Sequence, residues 1–325
     1  MIRYFMKILT IQNRIGIGDM VIFLPFIEAI AKKFATPVYL LIKESSKASQ
    51  ILKSNKNIKE IIILDRTNNK NGYHDGLLGS LNLIKQLKTY NFDKVFVFNS
   101  SLRYNLITRL ALIKNIYQYP LFKKKNQHII FAAQNFLQSN LGIKVDSNPN
   151  ILVDEKESKL VQSRYNILSN QKNILLGIGG SGPTKRISPE TFLKFMEDCS
   201  NKYSCKFFLA TGKNEEEQKI LKKILDSKFK VQCIALDELK LSETLPVIKN
   251  CTIAICNDSS FSHLSAAVGI PTIVLMADTP LLYGSYSPQM YPILPDGEET
   301  VTHDTLGKDK INPKKIFEKF QDILN

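Results

Sequence analysis

The sequence predicts two consecutive, doubly wound α/β domains, and three observations lead to this conclusion. Short, nearly continuous apolar segments alternate with amphipathic segments of helical length along most of the chain, a pattern typical of parallel strands covered by helices on both faces. The chain has 325 residues, about twice the length of an ordinary domain. The alternation stops in the Asn-, Asp-, Ser- and Pro-containing stretch 141–158 and then starts again. We therefore predict domains over 1–155 and 156–325, and leave open whether the last helix returns to the first domain.

The first half begins with a short β-rich segment that leads directly into a glycine loop. The predicted elements of this half are strands over 6–12, 37–42, 60–64 and 93–99, and helices from Asp19 to about Phe34 and over 77–90. Asp is a favourable residue at the start of a helix, because its carboxylate accepts hydrogen bonds from the first backbone amides. Each strand is too short to be a helix and is bounded by polar or turn-forming residues, which favours a parallel sheet.

The second half repeats the alternation. Its predicted strands cover 173–178, 205–212, 230–236, 251–257 and 270–276, and its predicted helices cover 188–200, 215–225, 242–250, 259–269 and 311–324. In doubly wound sheets the ligand lies outside the carboxyl ends of the strands. Ligands also favour domain interfaces. We therefore expect two Rossmann-like domains that face a cleft in which the ligand binds.

The charge of the chain is unevenly distributed. Residues 1–150 contain 22 Lys and Arg against 8 Asp and Glu, a net charge of +14, whereas residues 151–325 contain 22 of each kind. A lysine-rich genome would raise the lysine content of both halves, so the asymmetry points to an anionic partner of the first half. Nucleic acid, an acidic glycolipid and a membrane surface all fit this charge. A nucleic-acid site would need clustered cations with exposed aromatic residues, and Lys123–Lys125 is the one run in the sequence. We therefore do not expect nucleic acid.

The cysteines and the amino terminus indicate where the protein works. All five cysteines fall in the second half, mostly inside apolar segments and without a CxxC pair, which favours buried, reduced thiols. The first residues lead into a glycine loop without a signal-peptide cleavage site. No apolar segment approaches the ~20 residues that a membrane-spanning helix needs. We expect a cytoplasmic protein.

The first loop that carries chemistry contains Gly16, Gly18 and Asp19, between the first strand and the first helix. Glycines allow a tight turn and a close approach of a ligand to the backbone. A carboxylate at this edge of the sheet suits a general base acting on a hydroxyl nucleophile. A simple helix cap would also explain Asp19. Both interpretations remain open at this stage.

The second loop, 177–186, matches GxGxxG and ends in Lys185 and Arg186. A dinucleotide-binding turn would have its third glycine open a helix and an acid at the tip of the next strand. Here Pro183 delays the helix to about Ser188, and the next strand ends in Ala-Thr-Gly. Amides and cations in such a loop suit a diphosphate better. A nucleotide-dependent oxidoreductase is therefore the weaker alternative.

The third loop runs from Asn257 to His263, at the end of one strand and the start of a helix. Hydroxyls and free amides at a helix N-terminus form a ready anion site. The sequence contains no HExxH, Walker or nucleophile-elbow motif and no DxD pair. We therefore expect neither a metal-bridged diphosphate nor a cofactor.

At these three loops the sequence resembles glycosyltransferase family 9, the ADP-heptose:lipopolysaccharide heptosyltransferases, which have a GT-B fold. The resemblance extends over nearly the whole chain and is carried by GIGDMVIFLPFIEAI, by KRIS in GPTKRISPETF and by NDSSFSHLSAAVGIPTIVLMADTP. Four residues depart from the family pattern: Ile187 and Ser188 replace Trp and Pro, and Ser259 and Ser260 replace Thr and Gly. The hydroxyl at Ser259 is preserved.

The resemblance implies that Asp19 is the catalytic base, beside the acceptor-side glycines Gly16 and Gly18, and that Lys185 stabilises the leaving nucleoside diphosphate. The donor-binding residues that it implies are Ser181, Arg186, Glu215 or Glu216, Asp258, Ser259, Ser260 and His263. The expected function is an inverting, metal-independent transfer of a sugar, heptose from ADP-heptose, to a lipopolysaccharide core or related anionic glycan. The same fold with a UDP- or GDP-hexose donor is the closest alternative. The basic first half is then expected to meet this acceptor and the cytoplasmic face of the inner membrane.

Overall fold

A computed structural model describes residues 6–67, 71–121 and 127–324, so Lys123–Lys125 lies outside the described residues. The chain divides into two compact units, Met1–Pro149 and Asn150–Asn325. The amide of Ile151 donates to the carbonyl of Ala267 at 2.8 Å, which ties the residues just before the expected boundary to the second unit.

The first unit is a five-stranded parallel sheet with helices on both faces. Its elements are β1 (Ile8–Ile11), α1 (Ile17–Lys33), β2 (Val38–Ile42), α2 (Ala48–Ile51), β3 (Ile58–Ile63), α3 (Gly76–Tyr90), β4 (Lys94–Val97), α4 (Leu102–Leu110), β5 (Asn115–Gln118) and α5 (Ile129–Leu141). The strand order is β3-β2-β1-β4-β5, and every neighbouring pair is parallel. The order reverses direction between β1 and β4, which makes this pair the topological switch point.

The second unit is a six-stranded parallel sheet with the same winding. Its elements are α6 (Glu155–Arg164), β6 (Lys172–Gly177), α7 (Pro189–Lys202), β7 (Cys205–Ala210), α8 (Glu215–Leu225), β8 (Cys233–Ala235), α9 (Leu241–Lys249), β9 (Ile253–Asn257), α10 (Ser260–Ala267), β10 (Thr272–Leu275), β11 (Met290–Ile293) and α11 (Pro313–Leu324). The strand order is β8-β7-β6-β9-β10-β11, so the switch point lies between β6 and β9. The predicted pair of doubly wound, Rossmann-like domains is confirmed.

The last helix belongs to the core of the second unit. Phe320 of α11 is fully buried and meets the ring of Phe195 in α7, with centroids 5.6 Å apart. Burying a ring of this size contributes about 1.5–3 kcal/mol relative to leaving it exposed. The last helix, α11, therefore packs against α7 of its own unit.

The described cysteines behave as small apolar residues. All five are free, and four of them are buried. Burial raises the pKa of the Cys205 thiol to about 11, so this thiol stays protonated and unreactive at neutral pH.

Candidate active site

The carboxyl ends of β6 and β9 meet at the switch point of the second unit, and Asn257 joins the two loops that follow them. Its side chain is completely buried at the end of β9. The Nδ2 atom donates to the carbonyl oxygens of Ile178 and Gly179 at 2.9 and 3.2 Å. These bonds hold the glycine loop against the start of the next helix, so the second and third loops identified in the sequence form a single structure.

A buried ion pair lies directly beyond this junction. Nζ of Lys185, in the 3-10 turn Pro183–Lys185, lies 2.9 Å from Oδ2 of Asp258. The Asp258 side chain is only 4% exposed, whereas that of Lys185 is 23% exposed. Thr279 donates its hydroxyl to the same carboxylate oxygen. Desolvation alone would raise the pKa of Asp258, but the charges of Lys185 and His263 and the Thr279 hydrogen bond outweigh it and lower the pKa below its ordinary value.

His263 approaches the same carboxylate from the first turns of α10. Its Nε2 lies 4.0 Å from Oδ1 of Asp258, an attractive ion-pair distance when the imidazole is protonated. Its Nδ1 lies 3.0 Å from the hydroxyl of Tyr286, and the two rings stack with centroids 5.7 Å apart. Burial raises the pKa of Tyr286 strongly, so the phenol keeps its proton at neutral pH. Tyr286, like Thr279, was not among the residues predicted from the sequence.

The N-terminus of α10 adds backbone and hydroxyl groups to this cluster. Ser259 is the N-cap residue, in an extended conformation, and Ser260 is the first helical residue. The first amides of a helix have no partner within the helix and attract anions. The Ser259 hydroxyl is buried and has no hydrogen-bond partner among the described residues. A buried hydroxyl of this kind marks a position where a bound anion would supply the partner.

The glycines of the 177–186 loop serve packing as much as ligand access. None of them has a positive φ. A Cβ on Gly177 would lie 2.6 Å from Sγ of Cys256, and a Cβ on Gly179 would lie 2.5 Å from Oε1 of Glu217. The amide of Gly180 donates to Oε1 of Glu217 at 2.6 Å. The expectation that this loop offers its amides to a phosphate therefore needs correction at Gly180, whose amide is already occupied.

Glu217 is the acid of α8 that contacts the glycine loop, and it was not predicted. It is 6% exposed, and its carboxylate also accepts a hydrogen bond from Asn214, the N-cap residue of α8. The two predicted candidates point elsewhere: Glu215 and Glu216 have side chains that are 83% and 62% exposed, and both pair with Lys219. A signal in the sequence existed, since Asn214-x-x-Glu217 has the spacing of a capping box.

The remaining donor-side residues lie on the outer part of the loop. Ser181 is exposed. Arg186 donates from Nε to the carbonyl of Gly180 at 2.8 Å. Its outer side lines an open pocket of about 290 Å³ together with Glu216 and Lys308. Arg186 thus places a cation next to the loop while its Nε–H anchors the loop backbone.

The first unit presents Asp19 at its own switch point. The loops after β1 and β4 are joined by Nδ2 of Asn99, which donates to Oδ1 of Asn13 at 3.2 Å. Helix α1 begins at Ile17, earlier than predicted, so Asp19 lies in the first turn and Gly16 is the N-cap residue. Arg14 lies 3.3 Å from Oδ1 of Asp19, whose side chain is 20% exposed. A Cβ on Gly16 would lie 2.9 Å from the other carboxylate oxygen.

Asp19 is not the N-cap residue of α1, because Gly16 occupies that position. The N-cap position is filled by a residue without a side chain, and Gly18 follows Ile17 in the first turn of α1. The missing side chain at position 16 leaves room for the carboxylate of Asp19. A negative charge in a first helical turn interacts favourably with the helix dipole. The Asp19 carboxylate thus lies at the carboxyl edge of the sheet, in the first turn of α1.

The described residues contain neither a metal-binding cluster nor a membrane-spanning helix. Residues 6–67, 71–121 and 127–324 contain no group of three or more His, Cys, Asp and Glu that could hold a metal ion. Within the same ranges, no helix has the length and apolar character needed to cross a membrane.

Comparison of the sequence with known proteins assigns the chain to a family. The model of glycosyltransferase family 9 (heptosyltransferase) matches residues 80–309. The chain belongs to this family. A sequence relative, lipopolysaccharide heptosyltransferase 1 of Campylobacter coli, is 24% identical over an alignment that covers 98% of this chain and 97% of that protein. The chain is therefore a glycosyltransferase.

Solved structures confirm the GT-B fold. The family 9 glycosyltransferase of Veillonella parvula superposes with a TM-score of 0.79 at 18% identity, over 98% of this chain and 97% of that one. The E. coli ADP-heptose heptosyltransferase II superposes with a TM-score of 0.71 at 17% identity, over 98% of both chains. The E. coli heptosyltransferase WaaC with ADP also gives 0.71, at 14% identity over 98% of this chain and 99% of that one.

The cluster in the second unit places an ammonium group next to the start of a helix. Lys185 brings a cation, held by a buried carboxylate, to the switch point next to the N-terminus of α10. Fixed cations and amides of this kind stabilise charge that develops on a departing group without having to reorganise. Asp19 is a carboxylate at the switch point of the first unit.

Proposed function

We propose that the chain transfers heptose from ADP-heptose, with inversion at the anomeric carbon, to a lipopolysaccharide core or a related anionic glycan. The family and the names of the relatives support this choice of sugar and acceptor. Two E. coli structures with similar folds contain ADP and ADP-2-deoxy-2-fluoro heptose. The observation that carries the proposal is the buried Asp258, which holds Lys185 beside the first turn of α10.

On the donor side, we assign the diphosphate to Lys185, Arg186 and the N-terminus of α10. Ser259 and Ser260 lie at this N-terminus, and the unpartnered Ser259 hydroxyl would donate to a phosphate oxygen. Lys and Arg together can neutralise a diphosphate, so the proposal includes no metal ion. His263 would face the sugar or the phosphate next to it, with its ring held by Tyr286.

The ribose of the donor needs an acid near the glycine loop. The resemblance suggested Glu215 or Glu216, but Glu217 is the acid of α8 whose carboxylate reaches this loop. Its position against Gly179, Gly180 and Gly212 supports assigning the ribose contact to Glu217. Glu215 and Glu216, paired with Lys219 in solvent, would then contribute charge to the rim.

On the acceptor side, Asp19 would act as the base. The acceptor O–H gives its proton to the carboxylate, the oxygen forms a bond to the anomeric carbon, and the bond from that carbon to the diphosphate breaks on the opposite face. The electron pair of the broken bond leaves with the ADP, whose added charge is stabilised by Lys185. Arg14, 3.3 Å from Asp19, keeps the carboxylate oriented. The +14 charge of residues 1–150 suits an anionic glycolipid and contact with the cytoplasmic face of the inner membrane.

Donor identity is tested by thermal stabilisation with ADP, UDP, GDP and NAD. A ligand that binds only the folded protein raises its stability by RT ln(1 + [L]/Kd). We expect ADP to stabilise the protein most. Stabilisation by UDP or GDP alone would support a hexose donor on the same fold, and stabilisation by NAD alone would contradict the transferase proposal. Gly182 precedes a 3-10 turn and not the opening of α7, which already counts against a dinucleotide site.

The role of Asp19 is tested by Asp19→Asn. The variant should keep its affinity for ADP and lose transfer by about 10²–10⁴-fold, because a general base contributes this much. Glu28→Gln is the matched control, since Glu28 is another acid of α1 with a partly buried side chain. Transfer by Asp19→Asn at the parental rate would show that Asp19 only stabilises the helix.

A further inference from the structure

The outer faces of α3 and α4 carry an unusual set of exposed leucines. Fifteen large hydrophobic residues are exposed in the described part of the chain, with relative exposures between 46% and 93%, and seven of them lie on these two helices or just after α4. We call these seven residues the leucine face: Leu77, Leu78, Leu81, Leu102, Leu106, Leu110 and Leu112. Scattered exposed leucines are normal, but a concentration on neighbouring helices marks an interaction surface.

The spacing of these residues places them on one stripe of each helix. Leu102, Leu106 and Leu110 follow one another at intervals of four residues, and Leu77 and Leu81 do the same on α3. Residues four apart lie on the same side of an α-helix. Each helix is therefore apolar both on its buried side and along a solvent-facing stripe.

Both stripes face the same side of the first unit. The inner residues of α3, including Leu83 and Leu87, and those of α4, including Tyr104 and Ile107, belong to one buried cluster with residues of β1 and β4. Helices α3 and α4 thus cover the same face of the sheet and contact each other. Their outer stripes point away from that sheet, so the leucine face lies on one side of the first unit.

The surroundings of the leucine face are basic. Neither α3 nor α4 contains Asp or Glu. Lys85 and Lys88 continue the exposed stripe of α3, and Arg109 and Lys114 are exposed on and after α4. Between positions 76 and 145 the only acid is Asp93, whose Oδ2 accepts a hydrogen bond from the amide of Lys7 at 2.8 Å. Two acids lie at the ends of α3: Asp75, its N-cap residue, is buried and paired with Arg66, and Glu60 accepts a hydrogen bond from the Tyr90 hydroxyl. Apolar side chains framed by cations, with no acid on either helix, match a surface with an apolar interior and anionic head groups.

We propose that the leucine face docks the enzyme on the surface of an anionic lipid bilayer. The leucines would enter the boundary between head groups and acyl chains, while Lys85, Lys88 and Arg109 contact the acidic head groups. The purpose of this docking rests on the proposed function: it would bring a lipid-linked acceptor to Asp19. Helices in this fold run back from the carboxyl ends of the strands, so α1, α3 and α4 all begin at the same edge of the sheet.

A second copy of the chain is a less suitable occupant. Pairing two leucine faces would bring the cations of one face against those of the other, and neither helix offers an acid to balance them. Like charges across an interface oppose association. The charge of the face therefore favours an anionic lipid surface.

The experiment is vesicle flotation of the full-length protein. Vesicles of dioleoylphosphatidylcholine are compared with an equimolar mixture of dioleoylphosphatidylcholine and dioleoylphosphatidylglycerol. We expect binding to the mixed vesicles and a loss of binding at high salt. The double variant Leu78→Glu/Leu106→Glu should lower the partition coefficient at least about tenfold, and Lys88→Gln about fivefold, the effect of one basic residue near an anionic surface. Leu160→Glu is the matched control, since Leu160 is 71% exposed on α6 of the second unit, and it should bind like the parent.

The outcomes separate this inference from the proposed function. Transfer to a lipid-free acceptor fragment, in the absence of vesicles, should be the same for the parent and the double variant. Equal flotation of the parent and the double variant, or no flotation of the parent, would overturn the docking proposal and leave the transferase proposal intact. Self-association of the parent that the double variant abolishes, without vesicle binding, would also overturn it and assign the face to a dimer. Failure of ADP to stabilise the protein would contradict the proposed donor but not the flotation result.

Discussion

Replacing Asp258 with Asn removes the negative charge that holds Lys185 and leaves the shape of the side chain almost unchanged. Asp258 is 4% exposed, and the Lys185 ammonium then loses its counter-ion at a distance of 2.9 Å. Breaking a fully buried pair by removing one partner costs about 3–5 kcal/mol. Lys185 retains 23% exposure and can recover some hydration, so we expect a smaller loss, about 2–3 kcal/mol of unfolding free energy.

The matched control is a pair with a similar distance but without burial. Lys213 and Glu238 approach to 2.7 Å, with side chains that are 63% and 80% exposed. Exposed pairs contribute about 0–1 kcal/mol. A double-mutant cycle with Lys185→Met and Asp258→Asn should therefore give a coupling energy of about 2 kcal/mol, and the cycle with Lys213→Met and Glu238→Gln less than about 1 kcal/mol.

Urea unfolding followed by far-ultraviolet circular dichroism is a suitable assay, because the chain has no tryptophan for indole fluorescence. A two-domain chain need not unfold in one step. The transition of the second unit is therefore assigned first with Phe320→Ala, which removes a fully buried ring of α11. Equal costs for Asp258→Asn and Glu238→Gln would refute the claim that the buried bridge holds Lys185 in place.

The dependence on pH gives a second check. The folded state lowers the pKa of Asp258 below its ordinary value, so the ionised carboxylate stabilises the protein fully above the unfolded pKa of about 3.9. That contribution is lost as the pH falls through the lower pKa of the folded state. The stability difference between the parent and Asp258→Asn should therefore shrink as the pH falls below the unfolded pKa of about 3.9. A difference that grows as the pH falls through this range would contradict the assignment.

The other predictions concern the acid of the glycine loop and the phenol behind the histidine. Glu217→Gln should lower the affinity for ADP about tenfold and the unfolding free energy by about 1–3 kcal/mol, because a charged hydrogen bond to a buried amide is lost. The control Glu216→Gln should change both quantities little. Calorimetric titration measures the affinities, and equal effects of the two substitutions would contradict the assignment. Tyr286→Phe should lower the unfolding free energy by about 1 kcal/mol and shift the ¹⁵N resonances of His263. These resonances are assigned among the four histidines with a His263→Gln variant. Unchanged resonances would show that the phenol does not influence the hydrogen bonding of this imidazole.

The fold was predictable because buried strands of a parallel sheet are apolar along their whole length. Strand β9 has five consecutive buried residues, and such a segment is visible in any sequence. Strand β5, Asn115–Gln118, lies at the edge of its sheet and has no buried residue, so it leaves no apolar signal. Helix α6 likewise has no buried residue. Elements that bury little leave a weak signal. However, α4, α5 and β11 have buried residues of their own and were not predicted either.

The site was predictable only where it follows a strand. Asp258 and Ser259 come directly after β9, so their place at the carboxyl edge follows from the alternation of strands and helices. The choice among three consecutive glutamates does not follow, because only the third, Glu217, turns back towards the glycine loop from its place in the first turn of α8. Tyr286 reaches His263 from a segment beyond β10 with no motif of its own. Contacts of this kind depend on tertiary packing, which the sequence pattern does not contain.

The two departures beside Lys185 have a structural explanation that bears on how the cation is held. Ile187, in place of the family's Trp, is fully buried in the core of the second unit. Ser188, in place of Pro, caps α7: its Oγ accepts a hydrogen bond from the Thr191 amide at 3.4 Å, and Pro189 is the first helical residue. Side-chain capping and Pro at the first position both favour a helix start here. The chain leaving Lys185 is thus fixed by a buried side chain and then by a helix cap, while Asp258 fixes the ammonium from the other side. Electrostatic stabilisation of a leaving group depends on charges that are held in place beforehand, so a segment fixed in this way is what the proposed role of Lys185 requires.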